Sequence, residues 1–200
     1  MRLAILLSGR GSNFVAIYDA IARGELAAEV VAVISNRPEA PGIARARELG
    51  LPSYTLDHRA YPNRGAHEQD VLEILAAAKP DFIVLAGYMR LLSPGFVAAW
   101  PHRILNIHPS LLPSFPGVDA QAQAVAYGVK VSGCTVHFVD ENLDAGPIIV
   151  QRAVPVLDDD TAESLAARIL DQEHEAYVEA LRKLASSQWR VEGRRILNRA

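Results

Sequence analysis

The sequence predicts an α/β protein in which a mostly parallel, twisted sheet is flanked by helices. Short apolar runs alternate with segments of helical spacing along most of the chain, which is typical of βαβ units. The chain has 200 residues, close to the length of one domain, and half of them are hydrophobic. Such a chain can bury a core without disulfides or a structural metal. We therefore expect residues 1–200 to form a single domain.

Five strands are predicted up to residue 107, and most of them are separated by helices. Each strand is a short run of apolar, often β-branched residues, whereas each helix shows apolar side chains three or four positions apart. Gly50 and Pro80 are expected to end two of the helices. The predicted strands are 2–7, 30–34, 53–56, 82–86 and 104–107, and the predicted helices are 14–21, 43–49, 68–78 and 94–100.

The last part of the chain departs from this alternation. After a helix at 120–127, strands are predicted at 135–139 and 148–156 with no helix between them, so one of the two should be antiparallel. Thr161 is a candidate N-cap of a helix that carries Glu163 in its first turn and ends near Leu184. The acidic residues 158–160 add favourable charge at that helix N-terminus. No structure is predicted for the basic segment 185–200.

The composition excludes several classes of protein. There are 20 Lys and Arg against 23 Asp and Glu, whereas a general nucleic-acid binder would show a basic excess. The single cysteine, Cys134, cannot form an internal disulfide and favours a reducing compartment. The apolar run 3–7 is too short for a signal peptide, no run is long enough to span a membrane, and no histidines and carboxylates have metal-site spacing. We expect a cytoplasmic protein without a metal, a membrane or a nucleic-acid partner.

Three loops follow strand ends, where parallel sheets bind their ligands, and the first has the residues of a phosphate site. This loop is 8–13: Gly9 and Gly11 permit a tight turn, and Ser12 or Asn13 can cap a helix whose N-terminus attracts an anion. A plain strand-to-helix turn would look the same. NAD is disfavoured, because Phe14 replaces the third glycine and no carboxylate follows the second strand, and Arg37 leaves only NADP as a weak alternative.

The other two loops, 87–92 and 106–117, suggest an apolar wall and an acyl-transfer centre. Met89, Leu91 and Leu92 are either core residues or the wall of a ligand site. Asn106 and His108 lie two positions apart at a strand end, so their side chains face the same way. Both can donate hydrogen bonds to an oxyanion, and histidine can also move protons. The alternative is a buried histidine satisfied by its neighbours, which we favour less for the pair.

Three further features concern the acidic loop 140–147, His137 and Cys134. One carboxylate of the loop 140–147 could face His108 and stabilise its protonated form, but the sequence does not select which. His137 is expected to be a satisfied polar group of the core, and Cys134 a packing residue.

The chain resembles the phosphoribosylglycinamide formyltransferases (GAR transformylases), a family within the folate-dependent formyltransferases. The similarity extends from about residue 3 to residue 184. It is carried by SGRGSN at 8–13, AGYMR at 86–90, NIHPSLLP at 106–113, VHFV at 136–139, DAGP at 144–147 and QEH at 172–174. The resemblance implies a Rossmann-like formyltransferase fold with a seven-stranded sheet. It also implies transfer of the formyl group of 10-formyltetrahydrofolate to the amine of glycinamide ribonucleotide (GAR) in purine biosynthesis.

The resemblance assigns roles to individual residues. The implied catalytic residues are Asn106, His108 and Asp144. Gly11, Ser12 and Asn13 would hold the GAR phosphate, and Gln172 and Glu173 would contact the rest of GAR. The implied folate-binding residues are Arg64, Met89, Arg90, Leu91, Leu92, Asn106, Asp140, Glu141, Asn142, Leu143 and Asp144.

Rival functions explain fewer of these features. A methionyl-tRNA formyltransferase would need an RNA-binding domain, and a formyltetrahydrofolate hydrolase a regulatory domain, and neither is expected within 200 residues. A non-catalytic nucleotide-binding module would account for the glycine loop but not for Asn106, His108 and Asp144 together. Two positions depart from the family pattern: Asp119 stands near a position where some members carry histidine, and Leu170 where a polar residue can occur. The sequence leaves a monomer and a homodimer equally open.

Overall fold

A four-stranded parallel sheet forms the centre of the first of two compact units, residues 1–105 and residues 106 onwards. The computed structural model describes residues 1–186 and 188–198. In the first unit, β1 (Arg2–Leu7) lies between β2 (Glu29–Ser35) and β4 (Phe82–Leu85), and β3 (Ser53–Thr55) lies beyond β2. All three strand pairs are parallel, as the alternation of strands and helices predicts.

Four helices follow the strands of the first unit. They are α1 (Ser12–Ala22), α2 (Pro41–Glu48), α3 (Arg64–Ala78) and α4 (Pro94–Ala99), with a single 3₁₀ turn at His58–Ala60. Helix α3 begins at Arg64, earlier than the predicted residue 68, because the Asn63 side chain accepts the Ala66 backbone N–H at 2.9 Å and caps it.

The core of the first unit is built around β1. Residues 3–7 of this strand are fully buried, as are Phe14 and Ile17 of α1, Ile43 of α2 and Leu75 of α3. Fully burying a side chain of this kind contributes about 1.5–3 kcal/mol. The continuous apolar run of β1, rather than an alternating pattern, is typical of a parallel strand covered on both faces.

The second unit contains the predicted antiparallel pair. Strand β5 (Ile104–His108) crosses the unit boundary, and α5 (Ala120–Tyr127) follows it. Strands β6 (Val131–Phe138) and β7 (Ile148–Pro155) pair antiparallel, which confirms the prediction. Strand β6 is longer than the predicted 135–139, since Val131 already pairs with Pro155.

The long helix α6 (Ala162–Ala185) begins as predicted. The Thr161 side chain accepts the Ser164 N–H, and the Ser164 hydroxyl accepts the Thr161 N–H, so the two residues cap the helix reciprocally. The side chain of Asp160 just before the cap binds both terminal nitrogens of Arg168 at 2.6 and 2.9 Å. Within the described parts of the chain, no helix is both long and apolar enough to cross a membrane.

The C-terminal segment contains two strands that were not predicted. β8 (Trp189–Glu192) and β9 (Arg195–Asn198) form an antiparallel hairpin, and β9 continues the sheet beside β7. The described residues thus contain nine strands rather than seven, although the predicted class, a mostly parallel sheet with flanking helices, is confirmed. The hairpin lies within 185–200, where no structure is predicted; residues 187, 199 and 200 of that segment are outside the described residues. The two-residue turn of the hairpin places Gly193 at φ 60°, a conformation that glycine adopts without strain.

Candidate active site

The loop between β1 and α1 is a tight turn that leads directly into a helix. Gly11 adopts φ 72° directly before Ser12, the first residue of α1. A Cβ on Gly11 would lie 3.1 Å from the Gly42 Cα, and the Gly42 N–H donates to the Gly9 carbonyl at 3.0 Å. The unpaired N–H groups at the start of a helix attract anions, so this tightly packed turn can bind a phosphate.

The loop after β4 exposes apolar side chains. Met89 is 74% exposed and Leu91 is 65% exposed, which rules out the alternative that they belong to the core. Leu92 and Arg90 are half-buried beside them. Arg64, another predicted folate contact, is exposed at the first position of α3. The loop therefore exposes an apolar surface.

In the second unit, one carboxylate faces His108. The Asp144 Oδ2 atom lies 3.4 Å from His108 Nδ1 and accepts the Gly117 backbone N–H at 2.8 Å. Both side chains are buried, with 6% of His108 and 9% of Asp144 exposed. The structure thus selects Asp144 from the acidic loop. Of the other predicted contacts there, Asp140 is half-buried and Glu141, Asn142 and Leu143 are exposed.

Two hydrogen-bond acceptors face the imidazole ring of His108. Its Nε2 atom lies 2.8 Å from the Phe115 carbonyl oxygen, and its Nδ1 atom faces the Asp144 carboxylate. A neutral imidazole carries only one N–H, whereas the imidazolium can donate to both of these acceptors. The pair can therefore present a buried positive charge at the end of β5.

His137 orients the side chain of Asn106. The His137 Nδ1 atom lies 2.9 Å from the Phe138 carbonyl, so the proton belongs on Nδ1 and Nε2 is an acceptor. Asn106 Nδ2 lies 3.3 Å from that Nε2 atom and donates to it. Burial lowers the pKa of His137, which keeps the ring neutral and able to accept. The second N–H of the Asn106 amide then points elsewhere and can bind an oxyanion.

His137 was the functional neighbour that sequence reasoning missed. Its expected status as a satisfied polar group is confirmed, since the ring is 2% exposed and hydrogen-bonded. The missed point is its contact with Asn106 and its Nε2 distance of 3.8 Å to Asp144 Oδ1. The only sequence signal was its place in the VHFV segment that carries the resemblance.

The predicted GAR contacts of α6 lie on its face toward β7. Glu173 is 9% exposed, and Gln172 Oε1 accepts a hydrogen bond from Arg152 at 3.4 Å. Arg152 also pairs with Glu175 and Glu179.

Burial, with a smaller contribution from Glu173, raises the pKa of the Cys134 thiol to about 12. In the parts of the chain that are described, no three His, Cys, Asp or Glu residues are grouped to hold a metal ion.

A family model described as formyl transferase matches residues 1–181. The chain belongs to this family. The predicted resemblance to folate-dependent formyltransferases is thereby confirmed.

Relatives within the formyl transferase family carry more specific names. The chain is 43% identical to the phosphoribosylglycinamide formyltransferase of Escherichia coli over 177 residues, which covers 88% of this chain and 84% of that one. The crystal structure of glycinamide ribonucleotide transformylase 1 from Symbiobacterium toebii superposes with a TM-score of 0.96 at 49% identity, covering 100% of this chain and 94% of the other.

Two other matches mark the limits of this similarity. The chain is 49% identical to a trifunctional purine biosynthetic protein of Drosophila melanogaster, but it spans only 14% of that relative's length. A formyltetrahydrofolate deformylase from Pseudomonas syringae superposes with a TM-score of 0.91 at 28% identity, covering 100% of this chain and 66% of that one. Solved structures similar to this chain therefore include one named a transformylase and one named a deformylase.

Proposed function

We propose that this formyl transferase moves the formyl group of 10-formyltetrahydrofolate to the amine of GAR, giving N-formyl-GAR and tetrahydrofolate in de novo purine (IMP) biosynthesis. The observation that carries the proposal is the buried ion pair of His108 and Asp144 near Asn106, in a chain 43% identical to a phosphoribosylglycinamide formyltransferase. 10-Formyltetrahydrofolate is a cosubstrate, and the proposed chemistry uses no metal.

Transfer begins when the primary amine of GAR attacks the formyl carbon. The C=O double bond opens, and its oxygen becomes the oxyanion of a tetrahedral intermediate. The charge of the His108 imidazolium and the second N–H of Asn106 stabilise this oxyanion. The intermediate collapses when the bond from carbon to the folate nitrogen breaks, while a proton passes from the attacking nitrogen to the departing one through water. No covalent enzyme adduct forms.

The Phe115 carbonyl limits how His108 contributes. Its oxygen accepts a hydrogen bond from His108 Nε2 at 2.8 Å, and the Asp144 carboxylate faces His108 Nδ1. His108 can act through its charge in this arrangement, and it can donate directly when the oxyanion replaces the Phe115 carbonyl at Nε2. Asp144 faces Nδ1 of the imidazolium in both cases and stabilises its charge.

The residues proposed to bind the substrates are those that the resemblance to the family implies. Gly11, Ser12 and Asn13 bind the GAR phosphate at the start of α1. Gln172 and Glu173 contact the rest of GAR. The exposed apolar side chains of loop 87–93 form a wall for the pterin. The remaining folate contacts come from Arg64, Arg90 and the loop 140–144.

The setting of the enzyme is also a proposal. A cytoplasmic location fits the buried free thiol of Cys134, which a reducing compartment preserves. We expect small molecules as the only substrates, no nucleic-acid or membrane partner, and either a monomer or a homodimer.

The test is incubation of the purified protein with 10-formyltetrahydrofolate, with and without GAR, while the deformylated folate is followed by absorbance. Release that requires GAR supports the transferase and its acceptor together. Release without GAR indicates a deformylase. If folate binds but is not deformylated, the acceptor is different or the chain is a binding protein. A His108→Ala variant separates these two cases, since a binding protein keeps its ligand affinity.

A further inference from the structure

We infer that two buried side chains, Ser8 and Glu68, are positioning residues that hold the loop 87–93 in shape for the folate cosubstrate. The inference rests on the proposed function, in which this loop contributes to the folate site. Ser8 follows β1 and is 5% exposed, and Glu68 lies on α3 and is 6% exposed. All three segments belong to the first unit.

Ser8 holds the start of the loop with both its backbone and its side chain. Its N–H donates to the Gly87 carbonyl at 3.0 Å, and its Oγ accepts the Met89 N–H at 2.8 Å. The Ser8 hydroxyl donates in turn to Asn36 Oδ1 at 2.5 Å. Because donor and acceptor roles are both used, the hydroxyl has one orientation, and the backbone of Gly87–Met89 is fixed to the strand ends of the sheet.

Glu68 holds the other end of the loop. One carboxylate oxygen accepts the Ser93 N–H at 2.9 Å, and the other accepts the Ser93 hydroxyl. Ser93 also caps α4, since its Oγ accepts the Phe96 N–H at 3.2 Å. A buried carboxylate with two donors from one residue fixes both the end of the loop and the start of the following helix.

The segment between the two anchors exposes Met89 and Leu91, which are apolar. Without the two anchors, the loop would be flexible and would lose conformational entropy on binding a ligand. A loop that is already fixed loses little. Neither Ser8 nor Glu68 is among the proposed contacts of either substrate. Their effect should therefore appear in folate affinity and not in the chemical step.

The first variant pair concerns the hydroxyl of Ser8. We expect Ser8→Ala to raise the KM for 10-formyltetrahydrofolate about 3- to 10-fold, the effect of one hydrogen bond. The kcat and the KM for GAR should change by much less. Ser8→Thr keeps the hydroxyl and should restore the folate KM. Ser35→Ala is the matched control, because that buried hydroxyl bonds to the Arg37 backbone instead of the loop and lies at the end of the neighbouring strand β2.

The second variant pair concerns the carboxylate of Glu68. Glu68→Ala removes the acceptor of two hydrogen bonds, and we expect a rise in folate KM of about 10- to 100-fold. Glu68→Gln retains one acceptor oxygen and should give a smaller rise. Asp70→Ala is the control, because Asp70 is a carboxylate of the same helix that binds the Tyr61 hydroxyl at 2.6 Å instead of the loop.

Steady-state kinetics in both substrates, a fluorescence titration with tetrahydrofolate and the Tm of each variant complete the test. The inference is overturned if Ser8→Ala and Glu68→Gln leave the folate KM and the tetrahydrofolate Kd unchanged, or if the controls raise them equally. Should Glu68→Ala fail to fold, Ser8→Ala and Glu68→Gln decide alone. If the wild-type protein neither binds tetrahydrofolate nor transfers a formyl group, the proposed function itself fails, which is a different outcome.

Discussion

Replacing Asp144 with asparagine removes a negative charge beside His108 and keeps the size of the side chain. The Asp144 Oδ2 atom lies 3.4 Å from His108 Nδ1, and both side chains are more than nine-tenths buried. At an effective dielectric constant of about 20, unit charges at this distance attract each other by roughly 5 kcal/mol. Since about 1.4 kcal/mol corresponds to a tenfold change in rate, the largest loss of kcat is between about 10³- and 10⁴-fold. Relaxation around the asparagine reduces this, so we expect a loss of about 10³-fold.

The assay is kcat with both substrates saturating, measured across a range of pH. Asp144→Asn should lower kcat at every pH tested, because no carboxylate then stabilises the positive charge that the proposed mechanism places on His108. The Asp158→Asn variant is the control, since this exposed carboxylate pairs with Lys130 in the same unit. A kcat within tenfold of wild type across the pH range would refute the role of the ion pair.

Three other predictions address the oxyanion donor, the thiol and the start of α6. Asn106→Ala should lower kcat about 10²- to 10³-fold, the usual effect of one oxyanion donor, and near-wild-type turnover in steady-state kinetics would remove Asn106 from the mechanism. Cys134, whose pKa burial raises to about 12, should resist a thiol-reactive dye in the native protein at pH 8 and react in guanidinium; fast native labelling would contradict its burial. Hydrogen bonds from Arg168 hold the pKa of Asp160 well below its usual range, so their contribution to stability is present above the unfolded carboxyl pKa of about 3.9 and is lost as pH falls through the folded value. Asp160→Asn should thus lower the Tm at neutral pH by a few degrees, and the difference from wild type should shrink below about pH 4; equal Tm values at neutral pH would show that the pair contributes nothing.

Much of the fold follows from local pattern. Strand β1 and helix α1 were predictable because each is indicated by residues close together in the sequence. The N-cap of α6 was predictable because Thr161 contacts a residue only three positions away. The hairpin β8–β9 was not predicted, because each strand has only four residues and the segment is basic, with residues 189–197 half-buried or exposed. Its place in the sheet depends on β7, a contact far away in the sequence.

In the candidate site too, the features set by nearby residues were predicted and those set by distant contacts were not. The pairing of Asn106 with His108 at a strand end is a matter of two-residue spacing, and the sequence predicted it. The residues alone did not select Asp144, which only the family resemblance implied, because its position depends on a turn that places this residue at φ 49° and on the distant Gly117 N–H. The exposure of Met89 and Leu91 was equally open, since apolar residues after a buried strand suit a core or a ligand wall.

The contact between Gly42 and the glycine loop limits how that loop can be reused in another protein. A Cβ on Gly42 would lie 2.9 Å from the Leu7 side chain and 3.1 Å from the Gly9 carbonyl oxygen. The hexapeptide 8–13 thus takes its shape partly from a helix whose sequence lies about thirty positions away. Grafting the hexapeptide alone onto a foreign scaffold would leave the turn without its support. A transplant that keeps the anion site would have to carry the start of α2 with it.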